Sequence, residues 1–162
     1  MRKIYSVTVE NRAGVLMKVA GLFSRRNFNI DSLVVGETDA RDVSCMTIVS
    51  SGDKNTIEQI EKQLNKKLDV IKVKTFEEND AIDRELMLVK VKYNKTNRRD
   101  IMENCDVCHA QIVDISKSFM LLQICDTPEK VEQFLRLLKG ISIVEVARTG
   151  TVALQKCREN EK

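Results

Sequence analysis

Apolar and polar residues alternate from the first residues of this chain. Over residues 4–9, Tyr5, Val7 and Val9 fall on one face and Ile4, Ser6 and Thr8 on the other, the period-two pattern of a half-buried strand. The period then lengthens. Leu16, Val19, Ala20 and Phe23 recur at helical spacing, with Lys18, Ser24, Arg25 and Arg26 left for a wetter face. Residues 28–35 and 43–49 return to strand character, with Gly36 and polar residues between them as a hairpin connection. Ile57, Ile60 and Leu64 mark a second helix opened by Gly52-Asp53, and residues 70–75 a fourth strand.

The same order then recurs. Residues 86–93 read as a strand and 96–105 as a helix opened by a Thr96 cap. Residues 110–115 and 119–125 form a strand pair. Thr127-Pro128 starts another helix, with a cap and a proline in its first turn. Val131, Phe134, Leu135 and Leu138 face inward, Gly140 ends the helix, and residues 141–146 form the last strand. Two βαββαβ units, each with two helices on one face of an antiparallel sheet, predict an α+β fold made of two ferredoxin-like units. The charged stretch at 78–85 reads as a linker, giving an N-terminal domain over 1–77 and a C-terminal one over 86–162.

The most informative segment is the turn between the first strand and the first helix, Glu10-Asn11-Arg12-Ala13-Gly14-Val15-Leu16. A helix start leaves backbone N–H groups unpaired at the positive end of its dipole, so it receives carboxylates and phosphates. Here the donors come from about Gly14, Val15 and Leu16. Gly14 has no Cβ to keep a ligand away, and Asn11 can cap an N–H or reach a polar ligand group. The same residues also fit a plain capped helix with a tightly packed glycine. One glycine is too few for a GxGxxG or GxxxxGK phosphate loop.

Composition narrows the function. The 27 Lys and Arg nearly balance 24 Asp and Glu, and only 4% of the 162 residues are aromatic. Neither the field nor the stacking platform of a nucleic-acid binder is supplied. No apolar run approaches the ~18 residues of a membrane span, and no hydrophobic signal region follows Met1-Arg2-Lys3. A cytoplasmic protein is expected. Five cysteines, an odd number, fit reduced thiols better than a disulfide framework.

Catalytic equipment is sparse. There is one histidine, no G-x-S-x-G elbow and no HExxH, and the acidic pairs read as solvated loop charge. Cys105-Asp106-Val107-Cys108-His109 has the spacing of a c-type haem attachment sequence, but haem attachment needs export. Cys105, Cys108 and His109 would give zinc three ligands, with Cys125 or Cys45 needed as a fourth. The plain alternative is two reduced cysteines at a helix end.

Taken together, residues 10–16, the segment Phe28-Asn29-Ile30-Asp31-Ser32-Leu33, residues 57–70, 84–91 and 143–150 carry a resemblance that runs the length of the chain. It resembles the regulatory, or small, subunit of acetolactate synthase (acetohydroxyacid synthase), whose N-terminal half is an ACT domain that binds a branched-chain amino acid. The resemblance implies a non-catalytic feedback sensor that activates a catalytic large subunit and makes it sensitive to valine. Thiamine diphosphate, FAD and magnesium then belong to that partner, and this chain holds no cofactor or metal. The resemblance also implies a homodimer through the ACT domain. Its effector site takes Asn11, Gly14, Val15 and Leu16 from one subunit and Asn29 and Ile30 from the other. Asn27 stands where the family usually has glycine, and asparagine also tolerates the left-handed conformation such a turn needs. The C-terminal half has no counterpart of Asn11 and Gly14 in its Tyr93-Asn94-Lys95-Thr96 turn, so assembly is its expected role. The alternative function is a free-standing amino-acid-responsive ACT-type regulator of another enzyme or of transcription.

Overall fold

The computed structural model describes residues 1–77 and 80–157. They form two compact units, one comprising residues 1–82 together with the chain from Thr151 onward, the other residues 83–150. Both are ferredoxin-like βαββαβ units.

In the first unit, β1 (Arg2–Glu10), α1 (Val15–Arg25), β2 (Ser32–Glu37), β3 (Val43–Ser51), α2 (Lys54–Asn65) and β4 (Val70–Phe76) follow in order. The sheet runs β2-β3-β1-β4, all antiparallel. Alternation dictates its core: Tyr5, Val7 and Val9 of β1 meet Met46 and Ile48 of β3, and both helices close over them with Val15, Val19, Leu22, Phe23, Ile57, Ile60 and Leu64. The buried stripe of α1 begins one residue before the expected one. Because Val15 opens the helix, positions 15, 19, 22 and 23 face inward, and Leu16, turned about 100° away, is 44% exposed. Asp53 caps α2, its carboxylate accepting from the Thr56 N–H at 2.7 Å.

The second unit contains β5 (Ala81–Lys92), α3 (Arg98–Cys108), β6 (Gln111–Ile115), β7 (Phe119–Asp126), α4 (Pro128–Leu137) and β8 (Ser142–Arg148). Its strands lie in the order β6-β7-β5-β8. Met87, Val89, Val91, Met120, Leu122 and Ile124 supply the sheet side of its core, and Ile101, Cys105, Val131, Phe134 and Leu138 the helix side. Glu85, 5% exposed, is paired in fork geometry with Arg148, at 2.7 and 3.1 Å.

Three expectations are corrected. The linker at 78–85 is mostly strand: Ala81 to Glu85 open β5, with charged Glu85 buried and apolar Ile82 exposed, the reverse of the pattern that marks a strand in sequence, while Glu78 and Asn79 lie outside the described residues. The C-terminal domain does not run to the end of the chain. Beyond Gly150, which has φ +84°, the chain joins the first unit. There Arg2 donates to the Thr151 hydroxyl at 3.2 Å, the Thr151 N–H to Ser32 Oγ at 2.9 Å, and Lys74 to Gln155 at 3.2 Å, and a short ninth strand, β9 (Val152–Gln155), forms. Finally, Thr96 does not cap α3. The Asn94 side chain accepts from the N–H groups of Thr96 and Asn97 instead, an Asx turn that Thr96 merely sits within.

Candidate functional site

The turn from β1 to α1 is held from three sides. The Glu10 N–H donates to the Asp69 carbonyl at 3.0 Å, and the Asn11 N–H to the Asp42 carbonyl at 2.7 Å. The Asn11 side-chain nitrogen donates to Glu37 Oε1 at 3.0 Å and to the Arg41 carbonyl at 2.8 Å. Asn11 is therefore not a helix cap. It is clasped by the β2–β3 hairpin, whose loop is closed by Thr38 Oγ1 donating to the Ala40 and Val43 carbonyls.

The N-cap of α1 is Gly14 itself, at φ +87° and with no side-chain cap bond. A Cβ built there would meet nothing within 4 Å. The glycine is thus required by backbone conformation and not by crowding, since L-residues strain at this φ. The site side of the residue is open.

Among the expected donors, Val15 is withdrawn: its N–H is spent on the Arg12 carbonyl at 3.3 Å, the bond that closes the turn. Lys18 donates back to the Gly14 carbonyl at 3.0 Å. Among the described residues, the N–H groups of Gly14, Leu16 and Met17 have no protein acceptor. Leu16 and Met17, the latter absent from the sequence reading, thus keep free backbone donors in the first turn. No acidic side chain lies in that turn to quench the dipole.

Asp69, just before β4, is the residue that periodicity could not reveal. It is only 7% exposed, yet it accepts from Arg12 at 2.9 Å and from Lys18 at 2.8 Å. The Lys18 bond first, then the Arg12 bond, hold its carboxyl below the usual carboxylate range against the opposing effect of burial. Arg12 is also ion-paired with Glu10. Asp69 ties the turn to both the first helix and the sheet. The sequence signal was an acidic residue immediately before a strand, which is too common to single out.

Asn29 and Ile30 lie at the other end of the sheet. β2 begins only at Ser32, later than the apolar run starting at Phe28 suggested, because the preceding residues are fixed by side-chain bonds. The Asn29 carbonyl accepts from Ser50 Oγ at 2.6 Å, and its side-chain nitrogen donates to Asp31 Oδ1 at 2.5 Å. Asp31 Oδ2 accepts from Ser51 Oγ at 2.6 Å, and the Asp31 N–H donates to the Val49 carbonyl at 2.8 Å. Ile30 is half-buried against the first core. Upstream, Asn27 has φ +56°, the left-handed conformation expected of it.

Strand register measures the separation of the two halves. Ser32 pairs with Val49, which pairs with Ile4, whereas the turn follows Glu10, opposite Val43. Six residues of β1 at ~3.3 Å each put the Asn29-Ile30 segment roughly 20 Å from the helix start. One chain does not bring Asn11 and Asn29 around the same small molecule.

The cysteine-histidine segment is built differently from a metal site. Cys105 is 3% exposed within the second core, and burial, with smaller contributions from Asp106 and Cys108, raises its thiol to about 11. Burial likewise raises Cys108. His109 is the left-handed C-cap of α3, its N–H donating to the Asp106 carbonyl at 3.3 Å. Among the described residues, no group of three or more His, Cys, Asp or Glu is placed to hold a metal ion, and no helix is long and apolar enough to cross a membrane. All five cysteines are free thiols.

Two family models match the chain, the second reaching past Gly150 into the segment that joins the first unit. Residues 5–72 match the family model described as the AHAS small subunit-like ACT domain, and residues 84–157 that of the small subunit of acetolactate synthase. The acetolactate synthase small subunit of Mycolicibacterium smegmatis is 45% identical over 93% of this chain and 89% of its own length. The acetolactate synthase isozyme 3 small subunit of Escherichia coli is 41% identical over 96% of both. The crystal structure of the acetolactate synthase small subunit from Thermotoga maritima superposes with a TM-score of 0.90 at 36% identity, covering 98% of this chain and 99% of that one. The chain belongs to the acetolactate synthase small-subunit family, with an ACT domain as its N-terminal unit.

Proposed function

We propose that this chain is the regulatory subunit of an acetolactate synthase, raising the activity of a catalytic large subunit and conferring feedback inhibition by valine in branched-chain amino acid biosynthesis. It makes no acetolactate itself. Thiamine diphosphate, FAD and magnesium belong to the catalytic partner, and the complex works in the cytoplasm.

The observation that carries this reading is the helix start of α1. The N–H groups of Gly14, Leu16 and Met17 are unpaired at an open left-handed glycine, beside an asparagine clasped by the neighbouring hairpin. Such a site suits the carboxylate of a small effector. Its second half follows from the free edge of the first sheet. β2 is an edge strand, and two β2 edges paired antiparallel about a two-fold axis would set one chain's Ser32 end beside the other's Glu37 end. Since Glu37 holds Asn11, the partner subunit's Asn29 and Ile30 then come to the helix start. The ~20 Å separation within one chain supports a site shared across a homodimer.

An apolar side chain of valine size against Ile30 contributes ~1.5–3 kcal/mol, and each hydrogen bond to a charged group a similar amount, enough for metabolite-level affinity. Mixing the purified chain with its catalytic subunit tests the proposal. Acetolactate formation should rise and become inhibitable by valine. An unchanged rate with and without this chain would refute the regulatory role. Calorimetric titration with valine, leucine and isoleucine ranks the effectors, whose side chains differ by about a methylene, worth ~1–3 kcal/mol.

A further inference from the structure

The two asparagines of the effector reading share a feature beyond their position. Each has its side-chain nitrogen bonded to acceptors that cannot donate, both N–H groups in Asn11 and one of the two in Asn29. For Asn11 these are the Glu37 carboxylate at 3.0 Å and the Arg41 carbonyl at 2.8 Å; for Asn29 the Asp31 carboxylate at 2.5 Å. An amide turned the other way would set its oxygen against carboxylate or carbonyl oxygen, so the chemistry of the neighbours dictates the orientation. Among the described residues, neither Oδ1 meets a donor. Two amide carbonyl oxygens, which accept only from a donor, and one N–H of Asn29 are left to the ligand.

The two locks differ in strength. Asn11 is held by a backbone carbonyl as well as a side chain, so no single side-chain change frees it. Asn29 depends on Asp31 alone, and Asp31 is aimed by Ser51, whose hydroxyl donates to Oδ2 at 2.6 Å while the Asp31 N–H is tied to the Val49 carbonyl at 2.8 Å. The chain Ser51–Asp31–Asn29 is a positioning relay anchored on β3.

We propose that Asp31, held by Ser51, is a positioning residue that fixes the Asn29 amide so that the site reads the ammonium group of its ligand, admitting an α-amino acid and rejecting the 2-oxo acid of the same side chain. The inference rests on the effector reading above and adds the chemical class that the site selects. An α-ammonium brings three N–H donors to the carbonyl oxygens of Asn11 and the partner subunit's Asn29, while the helix-start amides take the carboxylate. In a 2-oxo acid the ammonium is replaced by a carbonyl oxygen. It would face the Asn11 amide oxygen with no proton between them, and neither amide oxygen would gain a donor from it. A site that hydrogen-bonds an N–H discriminates strongly against the analogue lacking it. A sensor of this kind responds to the aminated compound and ignores its deaminated counterpart.

The test is calorimetric titration of the full chain with L-valine and with 3-methyl-2-oxobutanoate, repeated on Asp31→Asn, Ser51→Ala and Glu37→Gln. In the parent protein valine should bind at least about a hundredfold tighter than the 2-oxo acid. Asp31→Asn offers Asn29 an amide that can donate or accept, so Asn29 turns over freely. Valine affinity should fall on the order of tenfold and the preference for valine should narrow by a similar factor. Ser51→Ala should shift both in the same direction by less, and serves if Asp31→Asn does not fold. Glu37→Gln should leave the preference intact, because the Arg41 carbonyl still holds Asn11. A purely structural role for Asp31 would weaken both ligands equally, and that result, or equal binding of both ligands by the parent, overturns the inference while the effector reading stands. No binding of valine by the parent overturns both.

Discussion

Replacing Gly14 separates the two demands made on that residue. Its φ of +87° is a conformation that L side chains adopt at a cost of order 1 kcal/mol, and a Cβ placed there meets nothing within 4 Å. Gly14→Ala therefore tests strain alone. It should reduce valine affinity fivefold or less and leave activation of the catalytic subunit unchanged. Gly14→Asp adds a carboxylate where the effector carboxylate is expected. Two like charges about 4 Å apart repel by ~4 kcal/mol at an effective dielectric near 20 and by ~1 kcal/mol in bulk water. The turn is solvent-exposed, so the loss lies between those limits, roughly fivefold to a thousandfold in affinity. Asparagine and aspartate tolerate left-handed backbone better than alanine does, so the aspartate variant should fold at least as well. The assay is acetolactate formation by the reconstituted complex across a valine titration. Feedback should be lost in Gly14→Asp and retained in Gly14→Ala, with activation present in both. Equal loss of valine response in the two variants would place the cause in the backbone and refute the electrostatic argument.

Asp69→Asn should lower the melting temperature and weaken valine inhibition together, because Arg12 and Lys18 lose the anion that ties the turn to the sheet. The pH dependence has a definite sign: with its carboxyl held below the usual range, Asp69 stabilises the fold above the unfolded pKa near ~3.9, and that contribution is lost as pH falls through the lower folded value. Acid unfolding of Asp69→Asn, followed by circular dichroism, should lack that component. At the alkaline end, burial, reinforced by Glu61, raises Tyr5 to about 12, and its hydroxyl donates to the Ile57 carbonyl at 3.3 Å. The neutral phenol stabilises the fold fully below the unfolded pKa near ~10, and that contribution disappears as pH rises through about 12. Tyr5→Phe should cost ~1 kcal/mol at neutral pH and abolish the alkaline loss, measured by denaturant unfolding at several pH values.

Elements with an uninterrupted period were legible in the sequence. Tyr5, Val7 and Val9 announced the face of β1, and the recurrence of the whole element order announced two units of one architecture. The places where reading failed are places where side-chain hydrogen bonds override hydrophobic pattern. Phe28 and Ile30 look like strand residues and are partly buried, but the bonds of Asn29 and Asp31 to Ser50, Asp31 and Ser51 set the backbone before β2 begins. Thr96 looked like a cap until Asn94, two residues earlier, took the amides. The return of the chain after Gly150 left no trace in the pattern, because the anchor of Thr151 is a bond to Ser32, more than a hundred residues away. For the same reason the Asn11–Gly14 turn could be identified but not resolved: which amides are free depends on the Arg12 carbonyl, and which way Asn11 points depends on Glu37 and Arg41, neither of them a neighbour in sequence.

That last dependence links ligand to assembly. If the helix start and the Asn29-Ile30 segment were adjacent within one chain, a monomer would bind the effector and dimerisation would be incidental. The register of β1, β2 and β3 separates them by nearly the length of the sheet. In the proposed arrangement a ligand bridges two subunits, and mass action then requires that it stabilise the dimer by as much as the dimer improves its affinity. In that arrangement the hairpin would link the two processes. Glu37 ends the edge strand offered for pairing and also grips Asn11, while Arg41 and Asp42 of its loop hold the same residue. In that arrangement a shift of the β2 edge on pairing would reach Asn11 through Glu37, without any element having to move as a whole.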